Sequence, residues 1–137
     1  MTANQQPQPI SVFNAEAGDV RVAGNLFDMT PRVPEDHEIF ETLLSHANVR
    51  IERIVSTGQV SPEGFWYDQS QAEWVFVVQG TASVQFEDER NARDLKAGDY
   101  LYIAPHRRHR VQYTQTTPPT IWLAVHIENP NKPQVSH

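Results

Sequence analysis

Residues 64–80 read Gly-Phe-Trp-Tyr-Asp-Gln-Ser-Gln-Ala-Glu-Trp-Val-Phe-Val-Val-Gln-Gly, and residues 98–109 read Gly-Asp-Tyr-Leu-Tyr-Ile-Ala-Pro-His-Arg-Arg-His. Each stretch joins a hydrophobic run of strand length to polar residues at a fixed offset, with glycines as stops. Over 73–79, Glu73 shares one face with Val75 and Val77, while Trp74, Phe76 and Val78 take the other. Both faces are apolar. The predicted strand is therefore covered on both sides, by an interior and by a second sheet or subunit.

Outward from these stretches the pattern repeats. Residues 81–87 alternate, with Ala82, Val84 and Phe86 on one face and Thr81, Ser83 and Gln85 on the other. Further strands are predicted over 10–13, 20–26, 49–57, 65–68, 92–95, 100–103, 108–114 and 120–127, with turn residues between them. Residues 35–45 fit either a short strand or a helical turn, since Phe40, Leu43 and Leu44 have helical spacing. Many short strands at near-regular intervals predict an all-β sandwich or barrel. Residues 1–19 read as an N-terminal arm, 20–128 as the β domain and 129–137 as a polar tail.

Composition narrows the classes of function. The chain has 137 residues, the size of one domain, and such a length buries roughly two-thirds of its unfolded surface. Eleven Lys and Arg against 17 Asp and Glu give a net charge of −6, the wrong sign for a nucleic-acid partner. There is no cysteine, which removes disulfides, thiolate catalysis and thiolate metal sites. Residues 1–10 lack the basic and apolar regions of a signal peptide, and no apolar run approaches the ~20 residues that span a bilayer. The expectation is a cytoplasmic protein with no membrane partner.

Strand alternation sorts the polar candidates. Over 108–114, His109, Val111 and Tyr113 share a face and Arg108, Arg110 and Gln112 the other, so His109 and Tyr113 are expected inside. Trp66 and Asp68 share a face over 65–68. Over 120–127, Trp122, Ala124 and His126 share one, and alternation leaves open whether it is the inner one. Each candidate has a structural reading beside the functional one. Asp68 precedes a polar link and fits an Asx turn. Glu73 in an apolar strand needs a partner, which an Arg or Tyr supplies as well as a metal. His109 fits a hydrogen-bonded core histidine, and the basic cluster 107–110 fits a solvated strand end or an anion clamp.

On these residues the chain resembles the cupin family. Glu73, six residues and Gly80 are similar to the second half of that family's first motif. Gly98-Asp99, three residues, Ile103, then Pro105 and His109 resemble the second, with the usual Pro-x-Gly turn reading Ala104-Pro105-His106. The likeness covers roughly 48–127. It implies a double-stranded β-helix, or jelly-roll barrel, of six to eight strands, commonly homodimeric, with an interior pocket. Metal-binding cupins place two His, spaced H-x-H, shortly before the motif Glu. Here that place reads Trp66-Tyr67-Asp68.

The resemblance leaves Asp68, Glu73 and His109 as a metal-ligand set for Mn, Fe, Zn or Ni, with His106 and His126 as replacements. Tyr102 or His106 is the candidate acid or base, Arg107 the substrate anchor, and Trp66 and Tyr113 the aromatic lining. Two functions are expected from this set. One is a binding protein for a small polar or anionic molecule, motivated by the missing H-x-H pair. The other is a metal-dependent dioxygenase, decarboxylase or isomerase acting on a small anionic substrate, motivated by the surviving Glu73 and His109. Metal-independent sugar isomerisation by His109 and a tyrosine is a third.

Overall fold

A computed structural model describes residues 10–13, 20–29 and 36–128. Among them stand nine strands and no helix: β1 (Ile10–Phe13), β2 (Ile39–His46), β3 (Val49–Ser56), β4 (Ala72–Gln79), β5 (Thr81–Phe86), β6 (Arg93–Lys96), β7 (Tyr100–Ile103), β8 (His109–Thr114) and β9 (Thr120–Ile127). They form a six-stranded sheet in the order β1-β2-β3-β9-β4-β7 and a three-stranded sheet in the order β6-β5-β8. The β1–β2 pair is parallel and the others are antiparallel. Apart from 10–13, the expected arm and tail lie outside the described residues.

The core lies between the two sheets. Val75 and Val77 of β4, Ala82, Val84 and Phe86 of β5, Leu95, Ile103, Trp122 and Ala124 meet there. Phe86 is 1% exposed. Burying such a side chain stabilises the fold by about 2–3 kcal/mol. Gly80 makes the β4–β5 turn at φ +85°, and a Cβ there would meet Thr120 Cα at 3.1 Å and Pro119 O at 3.2 Å. Both the left-handed conformation and the close backbone require glycine.

Register gives the interior a polar end. Across β3, β9 and β4, Ile54, Trp122 and Val77 form one row, Glu52, Ala124 and Val75 the next, and Arg50, His126 and Glu73 the last. Residues in one row share a face. Apolar residues therefore dominate the middle of the barrel, with Glu52 among them, and the charged row stands at one mouth.

Four expectations change. Residues 35–45 take the strand alternative, as β2, because Ile39 and Glu41 alternate with Phe40 and Thr42 across the sheet. Residues 20–26 form no strand; Val20 makes one bridge to Leu44, and Asn25 Oδ1 accepts from Phe27 N in a local turn. Residues 65–68 are a loop joined to β8 by a single Tyr67–His109 bridge. Tyr113 does not follow His109 and Val111 inward. Ser83 pairs with Tyr113 but Val84 with Val111, so Gln112 is the extra residue of a bulge. A bulge reverses the alternation, and Tyr113 is 49% exposed.

The outer face of the larger sheet is covered in part by 20–28. Arg53 Nη1 donates to Leu26 O and Asp28 O at 3.0 and 2.6 Å, and Arg53 and Arg21 both pair with Glu41. Farther along the same sheet the outer face carries Trp74, Phe76, Tyr100 and Tyr102.

Candidate functional site

The charged row opens onto a cavity of about 90 Å³ inside the barrel. Its polar lining is Glu38, Glu52, Tyr67, Gln69, Glu73, His109 and His126, and its apolar lining includes Phe40, Ile54, Val75, Ile103 and Trp122. This is a few water volumes, at ~30 Å³ each. A larger depression of about 640 Å³ lies on the outer face, but its Arg21, Glu41 and Arg53 are already paired with one another.

The Glu73 carboxylate starts β4, in register with Ile103 and His126, and Glu73 is 8% exposed. No hydrogen bond or ion pair holds it among the described residues. His126 Nε2 lies 2.8 Å from Glu52 Oε1. The ionised carboxylate accepts only, so Nε2 carries the proton and donates. His126 Nδ1 is buried and has no hydrogen-bond partner. Burial of Glu52 raises its pKa, but the His126 hydrogen bond and charge, with the Arg50 charge, outweigh it and hold the carboxyl below its ordinary value.

Burial pushes the Glu38 carboxyl above its ordinary value, against the hydrogen bond that Ser56 Oγ donates to Oε2 at 2.7 Å. Trp122 Nε1 donates in turn to Ser56 Oγ at 3.2 Å. His109 Nδ1 donates to Arg107 O at 2.9 Å, so the neutral ring presents Nε2 as an acceptor. Its ring stacks on Tyr67 with centroids 5.4 Å apart.

Of the residues singled out in the sequence, Glu73, His109 and His126 line this cavity together. The others do not. Asp68 is turned outward, its Oδ1 2.7 Å from His106 Nδ1 on an exposed corner. His106 occupies the place of the expected turn glycine at φ +63°. Trp66 lies under Arg110, whose guanidinium carbon is 5.8 Å from the ring centroid. In the loop 65–68 Tyr67 lines the cavity, and Trp66 and Asp68 do not. Tyr102 is in register with Trp74 on the outer face and is 56% exposed. Arg107 lies 3.7 Å over the Phe86 ring and pairs with Asp88 and Glu89. Tyr113 is outside because of the bulge.

Sequence reading missed Glu38, Glu52 and Gln69. Glu52 carried a usable signal, an acid inside a β-branched strand two residues from Ile54. The others sit on or beside loops, where no alternation applies.

Among the described residues, no three His, Cys, Asp or Glu side chains converge as metal ligands. Asp68, Glu73 and His109 do not fit a metal ion as a set, because Asp68 is held outside by His106.

Residues 53–126 match the family described as the cupin domain. The chain belongs to the cupin family. This cupin is 47% identical to a Ralstonia eutropha JMP134 protein provisionally assigned as a mannose-6-phosphate isomerase; the match covers 78% of this chain and 98% of that one, with a TM-score of 0.72. A cupin superfamily protein of Desulfitobacterium hafniense DCB-2 is 15% identical over 84% of this chain and 100% of its own, with a TM-score of 0.65. An RmlC-like cupin of Methanocaldococcus jannaschii, with a double-stranded β-helix fold, is 18% identical over 72% and 86%, with a TM-score of 0.58. The last two share the fold. No curated protein matches this cupin. No helix among its described residues is long and apolar enough to cross a membrane.

Proposed function

We propose that this cupin binds a small hydroxylated molecule inside its barrel. The observation that carries the reading is Glu73, a buried carboxylate facing the cavity with no partner among the described residues. A ligand that displaces water from this carboxylate must bring donors in its place. Carboxylates offer only acceptors, and the unpartnered Nδ1 of His126 adds a second hydrogen-bonding position. The complementary ligand presents donors, as a polyol or sugar does. Three carboxylates in the lining disfavour an anionic group in the cavity itself.

A second reading is proton-transfer isomerisation of a hydroxy-carbonyl compound. It is favoured by the likeness to the provisionally assigned isomerase and by a carboxylate and imidazoles around one cavity. Glu73 would take the proton from the carbinol carbon while the carbonyl oxygen gains one from His109, giving an enediol; Glu73 would then return its proton to the former carbonyl carbon as the original hydroxyl gives its proton back to His109 and becomes the new carbonyl.

Ligand-observed NMR and thermal melts with sugars, polyols and sugar phosphates test the binding reading. Glu73→Gln is expected to weaken the best ligand about tenfold. Unchanged affinity in that variant, or no binding by any hydroxylated compound, sinks it. Deuterium uptake from D2O into mannose 6-phosphate, lost in Glu73→Gln, tests the isomerase reading.

We also infer that two copies pair through the outer aromatic face of Trp74, Phe76, Tyr100 and Tyr102. Tyr100 is 63% exposed there. A two-fold axis through such a patch lets it cover itself.

A further inference from the structure

We propose that Arg50 anchors an anionic group of the ligand at the cavity mouth, so that the ligand class is a hydroxylated carboxylate or phosphate ester. This rests on the barrel interior being the binding pocket. Arg50 stands in β3 in register with Ser45 and His126, so its side chain leaves the sheet on the same face as His126 and Glu52. The Arg50 side chain is 42% exposed and lies beyond Glu52 toward the rim.

Its own contacts leave it incomplete. Arg50 Nε is buried without a hydrogen-bond partner. The nearest carboxylate oxygen, Glu52 Oε2, is 3.8 Å from Nε, too far for a hydrogen bond. Glu52 is engaged instead through Oε1 by His126. Arg53, three residues on and facing out, differs in its terminal nitrogens: its Nε is likewise without a partner, but Glu41 and the carbonyls of Leu26 and Asp28 take its Nη donors, whereas those of Arg50 make no hydrogen bond among the described residues. Arg107, the anchor expected from the sequence, is taken by Asp88 and Glu89.

Arginine presents five donors in a fixed fork that matches a carboxylate or phosphate bidentately. The cavity, with three carboxylates in its lining, accommodates the hydroxylated end. Arg50 offers a fixed cationic fork one step outward. A ligand spanning both meets Glu73 and His126 with its hydroxyls and Arg50 with its charge.

The test uses two matched sets of probes: glycerol, glycerate and glycerol 3-phosphate, and mannose with mannose 6-phosphate. Dissociation constants are measured by NMR titration for wild type, Arg50→Leu and Arg50→Lys, and thermal melts check that each variant is folded. Wild type is expected to prefer an anionic member over its neutral parent by about tenfold or more. Arg50→Leu is expected to erase that preference and leave the neutral parent unchanged, with Arg50→Lys between. Glycerate against glycerol 3-phosphate then separates carboxylate from phosphate. Neutral parents that bind with no anionic preference, or a preference that survives in Arg50→Leu, overturn the role of Arg50 while the interior pocket stands. No binding by any probe overturns both.

Discussion

His126 Nε2 lies 2.8 Å from Glu52 Oε1, with the two side chains 7% and 11% exposed. Glu52 is directly opposite Ala124, so the contact is diagonal across the β3–β9 ladder. It sets a hydrogen-bonded acid–imidazole pair on the barrel wall.

Removing one partner strands the other in a nearly dry site. His126→Ala is expected to cost about 3 kcal/mol in urea unfolding, because Glu52 is left buried. Glu52→Gln keeps an oxygen acceptor for His126 and is expected to cost less than half of that. Equal and small losses in both variants would show that the pair contributes little.

The two shifted glutamates of the cavity lining predict opposite pH slopes. Glu52 is held low in the fold, so its contribution is present above the ordinary glutamate pKa and is lost as pH falls through the depressed value. Glu38 is held high, so its contribution is full below the ordinary pKa and is lost as pH rises through the raised value. Glu38→Gln is expected to flatten the slope between mildly acidic and neutral pH and to be neutral or stabilising at neutral pH. Glu52→Gln is expected to flatten the slope in acid below the ordinary value. Denaturation midpoints across pH read both, and exchanged effects would contradict the assignment.

Asp68 and His106 form an exposed pair at a strained turn. An exposed ion pair is worth about 0.5 kcal/mol, and a non-glycine residue at positive φ costs of order 1 kcal/mol. His106→Gly is therefore expected to be neutral or slightly stabilising, and His106→Val clearly destabilising. Elemental analysis of Asp68→Ala should match wild type for Mn, Fe, Ni and Zn, whatever the wild-type content. Loss of one equivalent of a metal in that variant would return Asp68 to a ligand role.

The outer face makes a separate prediction. Trp74 lies 5.5 Å from Tyr100 and 5.3 Å from Phe76, ring centre to ring centre. A charge placed there, as in Tyr102→Glu, is expected to shift the protein from dimer to monomer in sedimentation with the fold intact. A monomeric wild type, or a variant that remains dimeric, would remove this face as the contact.

Much of the fold was readable because strand alternation is a local property. Ala82, Val84 and Phe86 are inside, as their period of two requires, and Glu73 and His109 face inward with their apolar neighbours. The same rule failed at Tyr113, where one bulged residue reverses the parity, and over 65–68, where a loop carries Tyr67 inward in place of Trp66 and Asp68. Neither event leaves a mark in residue types alone.

By itself, the sequence determined an all-β barrel of cupin type and two inward polar residues, Glu73 and His109. Only the tertiary structure decided the company they keep. Glu52 and His126 are 74 residues apart in the chain, yet in hydrogen-bond contact. Periodicity tells which way a side chain points along its own strand. Which distant strand lies beside it, and in what register, is set by how the whole chain packs its apolar rows.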